Sequence, residues 1–152
     1  MNRKLFLLVA LFAASMIAFQ SCDRDENETK ISSFTSNESH KAGENCMACH
    51  VSGGDGEGFF KVAGTVYNEQ NTSVYPGATI KLYDGPNSTG TLVASIQVDE
   101  NGNFYSTEDI DFSSGLYPSV VGSNSTEHMP SATTTGACNS CHGGSVDKIW
   151  VK

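Results

Sequence analysis

The chain has 152 residues, nine of them basic and 17 acidic, for a formal net charge of −8. That length suits one modest domain once a leader is removed. The acidic balance argues against nucleic acid as a partner, because its recognition needs a basic patch; it fits a basic protein partner or simple solubility, and says nothing about fold.

The chain opens as an export signal. Arg3 and Lys4 are followed by an uncharged run from Leu5 to Phe19, then Gln20 and Ser21. A charged start, a short apolar core and a small residue before the cut describe a secretory signal over residues 1–21. The run is short for a span, which needs about 20 residues; a retained anchor is the alternative. Ser21-Cys22 resembles the processing site of bacterial lipoproteins, whose new N-terminal Cys is lipidated. The acidic run after it resembles the export tethers of surface lipoproteins in some Gram-negative groups. The chain has five Cys, and Cys22 alone lies outside the two motifs described below; an odd Cys in an exported protein needs a role, and lipidation supplies one. The resemblance implies a lipid-held protein at the outer membrane or cell surface. Ordinary cleavage into the periplasm is the competing outcome.

Residues 22–39 are polar and poor in large apolar side chains, so they read as a flexible tether. Residues 40–58 hold "NCMACH" (Asn45 to His50) and a glycine-rich hinge from Ser52 to Gly58. Val62 to Tyr67 is strand-like. Ala78, Ile80 and Leu82 alternate with Thr79, Lys81 and Tyr83, and Leu92, Ala94, Ile96 and Val98 with Val93, Ser95 and Gln97; period two means half-buried strands. Asp99 to Asn103 is a turn, with Gly102 available for positive φ, and a plain hairpin turn is preferred there over a calcium loop. Phe104 to Ser106 continues as a strand. Leu116 to Val121 is another, which Pro118 would confine to an edge or a bulge. Residues 122–145 hold the second cluster, "CNSCH" (Cys138 to His142), and residues 146–152 read as a closing strand, with Trp150 as sandwich core.

"VAGTVYN", "YPGATIKLYD" and "VDENGNFY" resemble the carboxypeptidase regulatory-like β-sandwich. The resemblance covers residues 59–121. It implies a mainly β, Ig-like Greek-key antiparallel sandwich that acts as a scaffold, without catalytic residues.

The C-x-x-C-H pattern occurs twice. On a helical turn, residues three and four apart share a face, so Cys46, Cys49 and His50 point one way, as do Cys138, Cys141 and His142. Covalent haem attachment needs two thiols for the vinyl groups and an imidazole for the iron on one side, and C-x-x-C-H is the c-type attachment signature. Zinc held by four thiolates, disulfides and a redox dithiol are the alternatives. Neither zinc nor disulfides explain why His follows the second Cys both times. The chain looks like a dihaem c-type cytochrome, which implies two covalently bound haem c groups with His50 and His142 as proximal ligands. Two other His remain, His40 and His128, each upstream of a motif and outside the expected strands; they are the candidate distal ligands. Met129 is a rival to His128, and Met47 has poor reach.

With both axial positions filled, electron transfer without bond-making catalysis is expected, with other redox proteins of the cell envelope as partners. A haem enzyme or gas sensor with one open axial site, and a non-haem surface sandwich stabilised by zinc or disulfides, stay open. First and last strands of such sandwiches commonly run parallel, so both motifs are expected at one end.

Overall fold

The computed structural model describes residues 28–152; the expected signal segment 1–21, Cys22 and the first part of the tether lie outside them. Seven strands form: β1 (Val62–Asn68), β2 (Thr79–Tyr83), β3 (Leu92–Gln97), β4 (Asn103–Ser106), β5 (Tyr117–Val121), β6 (Thr126–His128) and β7 (Ile149–Val151). They make two sheets, in the orders β4-β1-β7 and β3-β2-β5-β6. Every pairing is antiparallel except β1 with β7, which run parallel with Tyr67 opposite Trp150.

Period-two alternation explains why these segments pair. Val62 and Val66 of β1, Phe104 of β4 and Val151 of β7 meet Ile80, Leu82, Ile96 and Val120 of the other sheet in one apolar core. Fully burying a side chain of the size of Leu82 or Phe104 contributes about 1.5–3 kcal/mol. At β3 the alternation weakens: Ile96 is buried, whereas Leu92 is exposed at the sheet edge. Trp150, read from the sequence as core, is half-buried; its neighbour Val151 takes the core position.

Three local expectations are corrected. The Asp99–Asn103 turn forms, with Gly102 at φ 78° and Asp99 Oδ1 accepting the N–H groups of Asn101 and Asn103 at 3.0 and 2.9 Å. It is not a hairpin: it carries the chain from β3 in one sheet to β4 in the other. β5 is an interior strand, between β2 and β6. It tolerates Pro118 because β6 pairs only with Ser119 to Val121, and the Pro118 carbonyl, on the same side as its ring nitrogen, accepts the Met129 N–H. Third, His128 does lie within a strand, as the last residue of β6.

From residue 28 the expected tether is fastened to the domain. Lys30 N–H donates to Thr107 Oγ1 at 2.7 Å, Ser32 N–H to the Tyr105 carbonyl at 3.0 Å, and Ser32 Oγ to the Gln97 carbonyl at 2.6 Å. Asn101 Nδ2 holds the carbonyls of Asn37 and Ser39. Hydroxyl and amide hydrogen bonds, rather than apolar burial, tie this polar segment down. Among the described residues no helix is long and apolar enough to cross a membrane.

Candidate haem-binding site

The two C-x-x-C-H segments fold into the same turn. Each is a short 3-10 turn, Cys46–Ala48 and Cys138–Ser140. In each, the first Cys carbonyl accepts two N–H groups: from Cys49 and His50 at 3.2 and 3.0 Å, and from Cys141 and His142 at 3.2 and 3.0 Å. The second Cys closes both turns in nearly the same conformation, φ −112° and ψ −37° at Cys49, φ −115° and ψ −50° at Cys141. Nothing in "MA" and "NS" demands identical backbones, so the shared geometry follows the shared Cys and His positions.

Both histidines are held in the same way. His50 Nδ1 lies 2.8 Å from the Glu57 carbonyl, and His142 Nδ1 lies 2.6 Å from the Asp147 carbonyl. A carbonyl only accepts, so Nδ1 carries the proton in each ring. Nε2 of the neutral ring is left with its lone pair, the arrangement a metal-binding imidazole needs. The glycine-rich hinge builds half of this device. Gly56 N–H donates to the Cys49 carbonyl at 3.0 Å, and a Cβ at Gly56 would stand 2.8 Å from the His50 ring. Only glycine lets the loop close so near the imidazole. The other face of the loop is braced by an exposed Lys30–Glu57 ion pair of 2.7 Å, whose contribution to stability is small. His50 also stacks on Phe60, with ring centroids 4.2 Å apart and planes 8° from parallel.

The structure brings His40 to His50. Their ring centroids are 6.0 Å apart. Their planes are tilted by 39°, and two metal–nitrogen bonds of about 2 Å plus two ring radii span roughly the same distance. His128 stands elsewhere, at the end of β6; its Nδ1 is 2.9 Å from Ser119 Oγ and 3.4 Å from Ser88 Oγ, and no hydrogen bond joins it to the second motif. Met129 is half-buried beside it, and Met47 lies inside the first turn.

The four motif thiols are free, so neither pair is closed as a disulfide. In each motif the first Cys is partly buried and the second exposed. Burial pushes the Cys46 thiol up, and the Cys138 thiol up to about 12. A thiol whose charged form is disfavoured by burial is a slow nucleophile. A thioether carries no charge, so the same burial costs it nothing. Among the described residues no three His, Cys, Asp or Glu side chains stand close enough to hold a metal ion by themselves. In protein made without haem attachment, iodoacetamide should modify Cys49 and Cys141 several-fold faster than Cys46 and Cys138. Equal rates at the four thiols, read by peptide mass mapping, would contradict this burial.

Both turns dock on β1. The second segment runs parallel beside it, Ala63 N–H donating to the Gly136 carbonyl at 2.9 Å, before β7 takes over the same edge at Val66. The motif is therefore a loop let out from one edge of β1. The first segment reaches the same strand through Gly43 N–H, which donates to Thr65 Oγ1 at 2.8 Å. Asn139, a spacer residue of the second motif, joins the two: its Nδ2 donates to the Glu44 carbonyl at 3.0 Å and to Thr65 Oγ1 at 3.0 Å, and its Oδ1 accepts the Thr65 N–H at 3.2 Å. The motifs thus lie side by side.

Comparison with protein-family models, curated proteins and solved structures finds no match.

The site residues that sequence reasoning missed are Asn139, Gly56 and the carbonyls of Glu57 and Asp147. Asn139 carried one signal, being a side chain with both donor and acceptor in a spacer position. Backbone carbonyls carry none, because every residue has one.

Proposed function

We propose that the protein is an exported dihaem c-type cytochrome, lipid-anchored through Cys22, that passes single electrons among redox proteins of the cell envelope. In this reading the scaffold is an Ig-like Greek-key sandwich of the carboxypeptidase regulatory-like kind. Cys46 and Cys49, and Cys138 and Cys141, hold the two haem c groups by thioether links, with His50 and His142 as proximal ligands.

One observation carries the reading: in both motifs the imidazole Nδ1–H is spent on a backbone carbonyl, from Glu57 at 2.8 Å and from Asp147 at 2.6 Å. The two carbonyls come from unrelated loops, so the convergence is on ring orientation rather than on sequence. A bound haem supplies reversible one-electron iron chemistry. The chain's own residues do the rest. The turns set two sulfurs and one nitrogen together. Glu57 and Asp147 fix each tautomer and ring orientation, leaving Nε2 for the iron. Exposed Val51 and Val146, one beside each motif, offer apolar surface for a macrocycle to cover. His40, 6.0 Å from His50, is the distal ligand of the first haem. His128, with Met129 as rival, remains the candidate for the second.

The test is the pyridine haemochrome spectrum and intact mass of full-length protein expressed with a c-type maturation system. Two covalent haems per chain are expected; no haem would sink the reading and return the motifs to zinc or disulfide chemistry. On the loaded protein, His40→Ala should turn about half of the low-spin signal high-spin and open that haem to carbon monoxide. An unchanged low-spin spectrum would remove His40 from the ligand set.

A further inference from the structure

The two motifs are joined by a chain of side-chain hydrogen bonds, buried at its centre and partly exposed at its ends. Thr65, 1% exposed at the middle of β1, is its hub. Its hydroxyl accepts Gly43 N–H at 2.8 Å and Asn139 Nδ2 at 3.0 Å, and donates to Asn103 Oδ1 at 2.7 Å. That saturates the one donor and two acceptor sites a hydroxyl has. Asn103, 2% exposed, passes the link on: its Nδ2 donates to Ser39 Oγ at 2.9 Å and to the His40 carbonyl at 3.3 Å. Asp99 Oδ1 fixes Asn103 from behind by accepting its N–H at 2.9 Å. Asn139 closes the far end on the Glu44 carbonyl, two residues before Cys46. The path therefore runs from the second motif, across the neighbouring strands β1 and β4 on the face turned away from the core, to the segment Ser39 to Glu44 just before the first.

We infer that Asn139, Thr65 and Asn103 are positioning residues that hold the two haem segments in one fixed relation, so that the two haems act as an interacting pair rather than as two independent centres. This rests on the dihaem reading above and assigns its geometry. Each member is polar and satisfied by the others, and a network so closed has little freedom to let one segment shift alone. Neither residue belongs to the attachment chemistry: Asn139 is a spacer in its motif, and Thr65 is a strand residue.

The experiment compares electron paramagnetic resonance of the oxidised, full-length, haem-loaded protein with that of the two single-haem variants, Cys46→Ala/Cys49→Ala and Cys138→Ala/Cys141→Ala. Haem content is measured first: a wild type without two haems defeats the function itself, before the pairing is at issue. Given two haems, the wild-type spectrum is expected to differ from the sum of the single-haem spectra by an interaction between the ferric centres. Asn139→Ala and Thr65→Val should keep both haems and lose that interaction, the spectrum collapsing to the sum. Thr65→Ser keeps the hydroxyl and should behave as wild type. A wild-type spectrum equal to the sum overturns the inference while leaving two haems in place. So does an unaltered interaction in Asn139→Ala. Should Thr65→Val fail to fold, Asn139→Ala decides, since that side chain is only partly buried; failure of Asn139→Ala to fold would reduce the network to a structural role and also overturn the inference.

Discussion

Cys138→Ala/Cys141→Ala protein, matured in the same way, should carry one haem, with half of the wild-type haem absorbance per chain; Cys46→Ala/Cys49→Ala should do the same, and the fourfold variant should carry none. The expectation of independent loading follows from how each histidine is held. His50 is oriented by Glu57 and by the stack on Phe60, and His142 by Asp147; neither relies on a residue of the other turn. The second segment also remains moored by β7, paired with β1 over Val66 to Asn68. Intact mass reads the result directly. If removing one pair abolished both attachments, the motifs would have to mature as a unit, and the local argument from each imidazole would fail.

The second large effect is on stability. Gly136→Ala should destabilise the domain by about 3 kcal/mol, the upper end of overpacking costs. Its Cβ would run into the Lys61 carbonyl oxygen and stand 2.7 Å from Val62 Cα. These are backbone atoms of a paired strand and cannot swing away as a flexible side chain would. The segment must instead lift from β1, giving up the Ala63 N–H bond to the Gly136 carbonyl. At about 4–8 °C per kcal/mol for a domain near 100 residues, the thermal midpoint should fall by more than about 10 °C. Gly144→Ala is the control: its Cβ meets nothing nearer than 3.7 Å, so its effect should stay within about 0.5 kcal/mol. A Gly136→Ala midpoint equal to that of the control would mean that the edge of β1 is looser than its hydrogen bonds imply.

Much of the β framework was legible because alternation is a strong local signal. Ala78, Ile80 and Leu82 stood out as one face of a strand, and all three are buried. The parallel pairing of first and last strands also followed from the resemblance and is present as β1 with β7. What local signal could not carry is partner choice. The Asp99–Asn103 turn has the same residues whether it closes a hairpin or crosses between sheets, and only packing of Val98 and Phe104 in the common core decides. β6 is three residues long, too short for a period to be visible. At the site, C-x-x-C-H was plain in the sequence, but the groups that orient it were not. The stretch from Ser52 to Gly58 reads as a hinge because glycines have no pattern, yet it closes on His50 through hydrogen bonds of its backbone. His40 and His128 looked equivalent by their position upstream; the fold distinguishes them, setting one beside His50 and the other on a sheet with Ser119.

The fastening of the N-terminal segment limits how far the domain can range. Thr107 Oγ1 donates to the Glu28 carbonyl at 2.8 Å, and the bonds from Lys30 and Ser32 follow. If Cys22 carries lipid, only residues 22–27 separate the lipid from the part of the chain that is fastened to the domain, rather than the whole polar stretch to residue 39. At roughly 3.3–3.6 Å per residue, that is a reach of about 20 Å. A domain on so short a lead cannot sweep the space between membranes in search of partners. Under the lipid-anchored proposal it would work at the bilayer surface, and whatever exchanges electrons with it would have to come down to that height.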